Sequence, residues 1–169
     1  VNTELKGYSL QHQLDNCAPR MLFVEADLLA AFGTLAATGA VPARVVVLGA
    51  GELPSLPAAL AGAQVASWAA FTAQAAPGAK ALVEPQPHEV GCIMYTSGTT
   101  GLPKGALMPH AHLALFSVPS PGLALTEADC YYVCMPLFHA NALFVQVLAS
   151  LVSGARIHCV ERFSPNRWL

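Results

Sequence analysis

Charge is scarce in this sequence. Of its 169 residues 11% are charged, against roughly a quarter in an average soluble chain, and no two basic residues are adjacent. With a formal net charge of −2 and a pI of about 6.3, there is no cationic footprint for a polyanion. That argues against nucleic acid as a partner and offers no attraction to an acidic membrane. Cysteine pairing signals are missing too. The five cysteines (Cys17, Cys92, Cys130, Cys134 and Cys159) are scattered, odd in number and without a CxxC. They are expected to be small buried apolar residues in a reducing, cytoplasmic setting rather than a disulfide framework or a metal site. His110-Ala-His112 lacks a third ligand at a supporting spacing and reads as structural. Unbroken apolar runs are also lacking. The stretch 53–79 is interrupted by Pro54, Pro57 and Pro77, the stretch 105–126 by Pro109, Pro119 and Pro121, and 135–155 carries His139, Asn141 and Gln146. None supplies the roughly 20 apolar residues of a membrane span. The sequence opens at Val1 with no charged-then-apolar leader.

What the chain has in abundance is apolar side chains, 54% of the total. So much apolar surface in one domain-sized chain predicts a mostly parallel sheet buried on both faces by helices, an α/β fold. Ser9 is expected to cap a short helix with Leu10, Leu14 and Cys17 on one face, ended by Pro19. Met21 to Glu25 reads as a strand, followed by a helix with Leu28, Phe32 and Leu35 inward that closes near Gly39. Arg44 to Leu48 is the strongest strand signal. From Ser55 to Ala81 the pattern is weak; Trp68 and Phe71 are expected to anchor it on the core. Gly91 to Tyr95 and Gly105 to Met108 form a strand and its return, and Pro109 starts a helix running to about Val118, whose dipole would favour an anion if it pointed at one. A strand at Cys130 to Cys134 leads into a helix with a polar stripe (Gln146, Ser150, Ser153) and an apolar face (Leu143, Phe144, Val147, Leu148, Leu151). Gly154 stops it, and a strand from Ala155 to Val160 follows. Ser164-Pro165 signals one further helix start.

The stretch from Tyr95 to Gly105, Tyr-Thr-Ser-Gly-Thr-Thr-Gly-Leu-Pro-Lys-Gly, carries the chemistry. Hydroxyls at Thr96, Ser97, Thr99 and Thr100 alternate with Gly98 and Gly101, on a backbone free to turn its amides toward an oxyanion. Lys104 is the only charged residue between Glu89 and Glu127. A lone cation among hydroxyls and amides suits a polyphosphate better than a metal cage. The spacing is not that of a Walker loop, because Lys104 follows Gly101 by three residues and precedes Gly105. Gly49-Ala-Gly51 after a strand invites a dinucleotide-binding reading. Pro54 occupies the third glycine position, however, and the acidic residue after Glu52 is the distant Glu84, so a strand-to-loop turn is expected there.

Over these eleven positions the chain resembles the phosphate-binding signature of the adenylate-forming superfamily, and Pro136-Leu-Phe-His139 resembles a second signature beside its acyl pocket. The acyl-CoA synthetase branch fits best. The resemblance implies a partial N-terminal AMP-binding domain over residues 1–169, cut at both ends, of an enzyme with a further C-terminal domain. It implies that a carboxylic acid attacks the α-phosphate of ATP to give an acyl-adenylate, which then passes to coenzyme A. Thr96, Ser97, Gly98, Thr99, Thr100, Gly101 and Lys104 match the family's phosphate contacts, Thr96 matches a hydroxyl that touches Mg2+, and His139 matches a pocket residue. His139 is equally readable as a core histidine. The sequence departs from the family at Ala142, where glycine is usual, at Pro109, where threonine is usual, and at His112, where asparagine is usual. The acidic magnesium ligand, the ribose-binding aspartate and the catalytic lysine of the family would fall beyond Leu169, so the fragment is expected to be inactive alone. Peptide-synthetase adenylation, an NAD-dependent oxidoreductase and a non-catalytic nucleotide-binding module stand as alternatives. The identity of the acid and the oligomeric state are not legible.

Overall fold

The computed structural model describes residues 2–35, 41–49, 51–74, 78, 83–96, 101–118, 124–161 and 163–167. The chain divides into two compact units, 1–83 with 95–105 and 84–94 with 106–169. Expectations at Gly39, Pro77, Pro119 and Pro121 lie outside the described residues.

In the first unit α1 (Gly7–Cys17) precedes β1 (Met21–Glu25), a 3-10 helix (Ala26–Thr34), β2 (Arg44–Leu48), β3 (Gln64–Ser67) and α2 (Trp68–Ala73). The three strands pair in the order β1-β2-β3, all parallel, with Val45 opposite both Leu22 and Val65. This is the parallel α/β arrangement that the composition predicts. Side chains alternate across a strand, so Val45 and Val47, both 0% exposed, share one face of β2. They pack with Leu10 and Leu14 of α1, Val24, Leu29, Phe32 and Leu60. Phe23 points the other way and meets Trp68 and Phe71 edge-on at 6.3 and 5.7 Å. Trp68 and Phe71 therefore belong to a half-covered aromatic trio and not to the main core, which corrects the expected anchoring. The weak pattern of 55–81 concealed β3, whose residues are at best half-buried.

Local geometry explains three further differences. Ser9 lies inside α1 and Lys6 is its N-cap, without a side-chain bond; Thr34 Oγ1 instead accepts the Gly7 N–H at 2.7 Å. After β1 the chain winds as a 3-10 helix, which eclipses residues three apart. Leu29 and Phe32 thus share the fully buried side, and Leu28 and Leu35, expected inward, are partly buried against the same core. No cysteine is fully buried, and Cys130 and Cys159 are exposed. Those two sit at opposite ends of a two-stranded sheet that leaves one residue in two outside.

The second unit holds most of β4 (Val90–Thr96) and β5 (Lys104–Pro109), which pair with each other, then α3 (His110–Ser117), β6 (Cys130–Val133) and β7 (Arg156–Cys159). Strands β6 and β7 are parallel, with Val133 opposite Cys159. They are joined by a helix that is π-wound over Asn141–Leu148 and becomes α4 (Ala149–Ser153). The wider i→i+5 winding shifts the faces expected from a regular helix. Ser150 is 0% exposed and Leu151 is 64% exposed, so the polar stripe turns inward at Ser150, whose hydroxyl donates to Gln146 O at 2.6 Å. Gly154 ends the helix at φ 75.

Two predictions follow from these elements. Ala18 closes α1 in the left-handed region at φ 41, which disfavours a Cβ; Ala18→Gly is expected to raise stability by roughly 0.5–1 kcal/mol in chemical denaturation. Asp129 Oδ2 accepts the Thr126 N–H and hydroxyl, both at 2.8 Å, and these bonds hold its carboxyl below the usual range. Its stabilisation is therefore present above the unfolded pKa of about 3.9 and is lost as pH falls through the lower folded value. In an NMR titration Thr126→Val should return the Asp129 midpoint toward the ordinary value.

Candidate functional site

The sequence places Thr96 and Lys104 at the two ends of one loop, and the structure shows how each is presented. Strand β4 ends at Thr96 and β5 begins at Lys104, and both side chains are exposed. The Thr96 hydroxyl donates weakly to Lys104 O at 3.5 Å, so its oxygen keeps acceptor capacity. Gly101 is exposed, with open space where a Cβ would stand. Ser97, Gly98, Thr99 and Thr100 lie outside the described residues.

Both stems of the loop are held by α1. On the β4 side the Tyr95 hydroxyl donates to Asn16 Oδ1 at 2.6 Å, across 79 residues of sequence. On the β5 side His12 Nε2 lies 3.0 Å from Pro103 O, across 91 residues. His12 and Asn16 are one helical turn apart and so share a face. Sequence reasoning missed both. Their i, i+4 spacing was visible, but nothing local to α1 says that its polar face meets residues so far along the chain. Burial pushes the Tyr95 phenol up, and the neighbouring Cys17 thiol adds to the effect by charge and hydrogen bonding. The phenol thus stays a neutral donor.

The helix after the loop, whose dipole would favour an anion if it pointed at one, has two leading amides bonded within the chain. At the start of α3 the His110 N–H donates to Glu89 O and the Ala111 N–H to Pro87 O, both at 2.9 Å. Those amides are already spent. His139 belongs to the second unit and is exposed, which removes the core-histidine alternative. Its ring lies 4.6 Å from that of Phe138, and its backbone accepts the Leu143 N–H as the following helix begins. Ala142, where glycine was expected from the resemblance, is 0% exposed, so its methyl fills interior space. Among the described residues no three His, Cys, Asp or Glu side chains gather to hold a metal. A cavity of about 370 Å3, lined by Thr3, Glu4, Lys6, Asp27 and Thr34 among others, contains none of the expected site residues.

The sequence model of the family described as "AMP-binding enzyme" matches residues 1–169. The chain belongs to this AMP-binding family. It is 33% identical, over 99% of its length, to the medium/long-chain-fatty-acid–CoA ligase FadD6 of Mycobacterium tuberculosis, of which it spans 26%. It is 31% identical over the same share to a 2-succinylbenzoate–CoA ligase of Geobacillus kaustophilus, of which it spans 29%. The chain thus spans less than a third of these curated relatives. Among solved structures, an anthranilate CoA ligase, AuaEII, in complex with anthranoyl-AMP superposes with a TM-score of 0.73 at 20% identity, over 99% of this chain and 30% of that one. An ATP-bound MatB from Rhodopseudomonas palustris gives 0.66 at 23%, with the same coverage. At those identities the likeness establishes the AMP-binding fold. Membership of the family sets aside the dinucleotide-binding alternative; Gly49, at φ 73, turns the chain out of β2.

The raised Tyr95 phenol gives a test. A group whose folded pKa lies above its unfolded value contributes stability that is intact below about pH 10 and lost as pH rises through the folded pKa. The tyrosinate absorbance that disappears in Tyr95→Phe is expected to develop at higher pH than free tyrosine, and the wild type should lose stability relative to Tyr95→Phe over that same rise.

Proposed function

We propose that this chain carries the triphosphate-binding loop of an ATP-dependent acid–CoA ligase, and that it forms part of the AMP-binding domain of that longer enzyme. The observation that carries the reading is the pairing of an exposed cation, Lys104, with an exposed hydroxyl, Thr96, across the mouth of one hairpin. Family membership over the whole chain supports it, as do the CoA ligase names of the relatives.

In this reading a carboxylate attacks the α-phosphorus of ATP and pyrophosphate leaves, giving an acyl-adenylate; the sulfur of coenzyme A then takes the acyl group and releases AMP. The chain's own part is electrostatic. Lys104, Thr96 and Gly101, with Ser97, Gly98, Thr99 and Thr100 between them, would hold the β- and γ-phosphates and receive the charge that gathers on the leaving pyrophosphate. Donors fixed beforehand need no rearrangement as that charge appears. Magnesium would screen the phosphates. A hard cation that keeps most of its waters and binds phosphate oxygens fits a site with a hydroxyl oxygen that keeps acceptor capacity and no acidic cluster among the described residues, so Thr96 is its proposed protein ligand. His139, exposed at the head of the π-wound helix, is proposed to line the acyl pocket. The small-molecule acid is left as a class.

Two measurements test this reading. The 169-residue chain is expected to bind a fluorescent MgATP analogue, and Lys104→Ala to weaken that binding roughly tenfold or more, because a charge-assisted contact is lost; equal binding by the variant would sink the assignment. Alone the chain is expected to give no ATP–pyrophosphate exchange with any carboxylic acid. An exchange signal abolished by Lys104→Ala would show that these residues suffice for the chemistry.

A further inference from the structure

Phosphate recognition by placed donors needs a fixed spacing between them. In this chain both stems of the loop are bonded to an element outside it. Tyr95, next to Thr96, is tied to Asn16 at 2.6 Å. Pro103, next to Lys104, faces His12 Nε2 at 3.0 Å. Proline has a fixed φ and no N–H, so securing its carbonyl limits the directions in which the following Lys104 can leave. The helix that supplies both partners is itself immobilised, with Leu10 at 5% and Leu14 at 3% exposure in the core of the first unit. The two polar contacts therefore link a rigid element to the residue before Thr96 and the residue before Lys104.

We propose that His12 is a positioning residue for the triphosphate loop, acting with Asn16 and Tyr95 to set the separation of Thr96 and Lys104. The proposal rests on the phosphate-binding reading above and adds to it a part for the polar face of α1. A carbonyl only accepts, so the His12 ring must carry a proton on Nε2. That requirement is independent of any nucleotide.

The test has two arms on the intact chain. Ring-nitrogen NMR is expected to show His12 with its proton on Nε2; the tautomer protonated only on Nδ1 would overturn the proposal. In titrations with a fluorescent MgATP analogue, His12→Phe should weaken binding roughly three- to tenfold, the worth of one hydrogen bond. His12→Gln, whose amide donates at similar reach, should stay within about twofold of wild type, and so should Tyr8→Ser at an exposed position of the same helix. A role in stability alone would lower the melting temperature without separating Phe from Gln in affinity. If His12→Phe does not fold, Tyr95→Phe, which deletes one hydroxyl, carries the same expectation. Wild-type binding with both variants equally tight would overturn the positioning role alone. Failure of the wild type to bind, with the Nε2 proton in place, would remove the phosphate reading and with it anything for His12 to position.

Discussion

The burial of β2 between two parallel neighbours is the constraint on which the site depends. Val45 and Val47 have no solvent exposure, and the face they share is covered by α1, the 3-10 helix and Leu60. Burying a side chain of this size contributes about 1.5–3 kcal/mol, and Leu10 and Leu14 alone bring two such contributions to α1. A hydrogen bond contributes about 1 kcal/mol net. Apolar packing therefore decides where α1 lies. The hydrogen bonds of His12 and Asn16 then tie that helix to Pro103 and Tyr95.

The second unit shows local winding overriding pattern. The helix after β6 is π-wound for eight residues, Asn141–Leu148, and beyond it Ser150 lies inside and Leu151 outside. Ser150 is tolerated there because its hydroxyl returns to the Gln146 carbonyl, so burial leaves no unmet donor. The start of α3 follows the same logic of satisfaction. The His110 and Ala111 amides close on Glu89 and Pro87, which meets two of the donors a helix start leaves without an internal partner.

Similar limits apply to the metal and to the chemistry. Hydroxyls and a lysine can hold phosphate oxygens, but they cannot build an oxygen cage for a divalent ion without the phosphates themselves. Among the described residues no acidic cluster supplies such a cage. The curated relatives are three to four times as long as the share matched here.

Read alone, the sequence determined the parallel α/β class, the strands at 21–25 and 44–48 and the paired strands that flank Thr96 and Lys104. Each of these rests on neighbours in sequence: alternating or continuous apolar runs, and glycine and proline punctuation. Tertiary structure decided the rest. That β3 exists, that Leu29 is buried beside Phe32, that Cys130 and Cys159 stay exposed, and that His12 and Asn16 reach the loop stems all depend on winding or on contacts between distant residues. Local propensity carries no record of a partner 79 or 91 positions away; only the packing of α1 against the buried face of β2 brings them together.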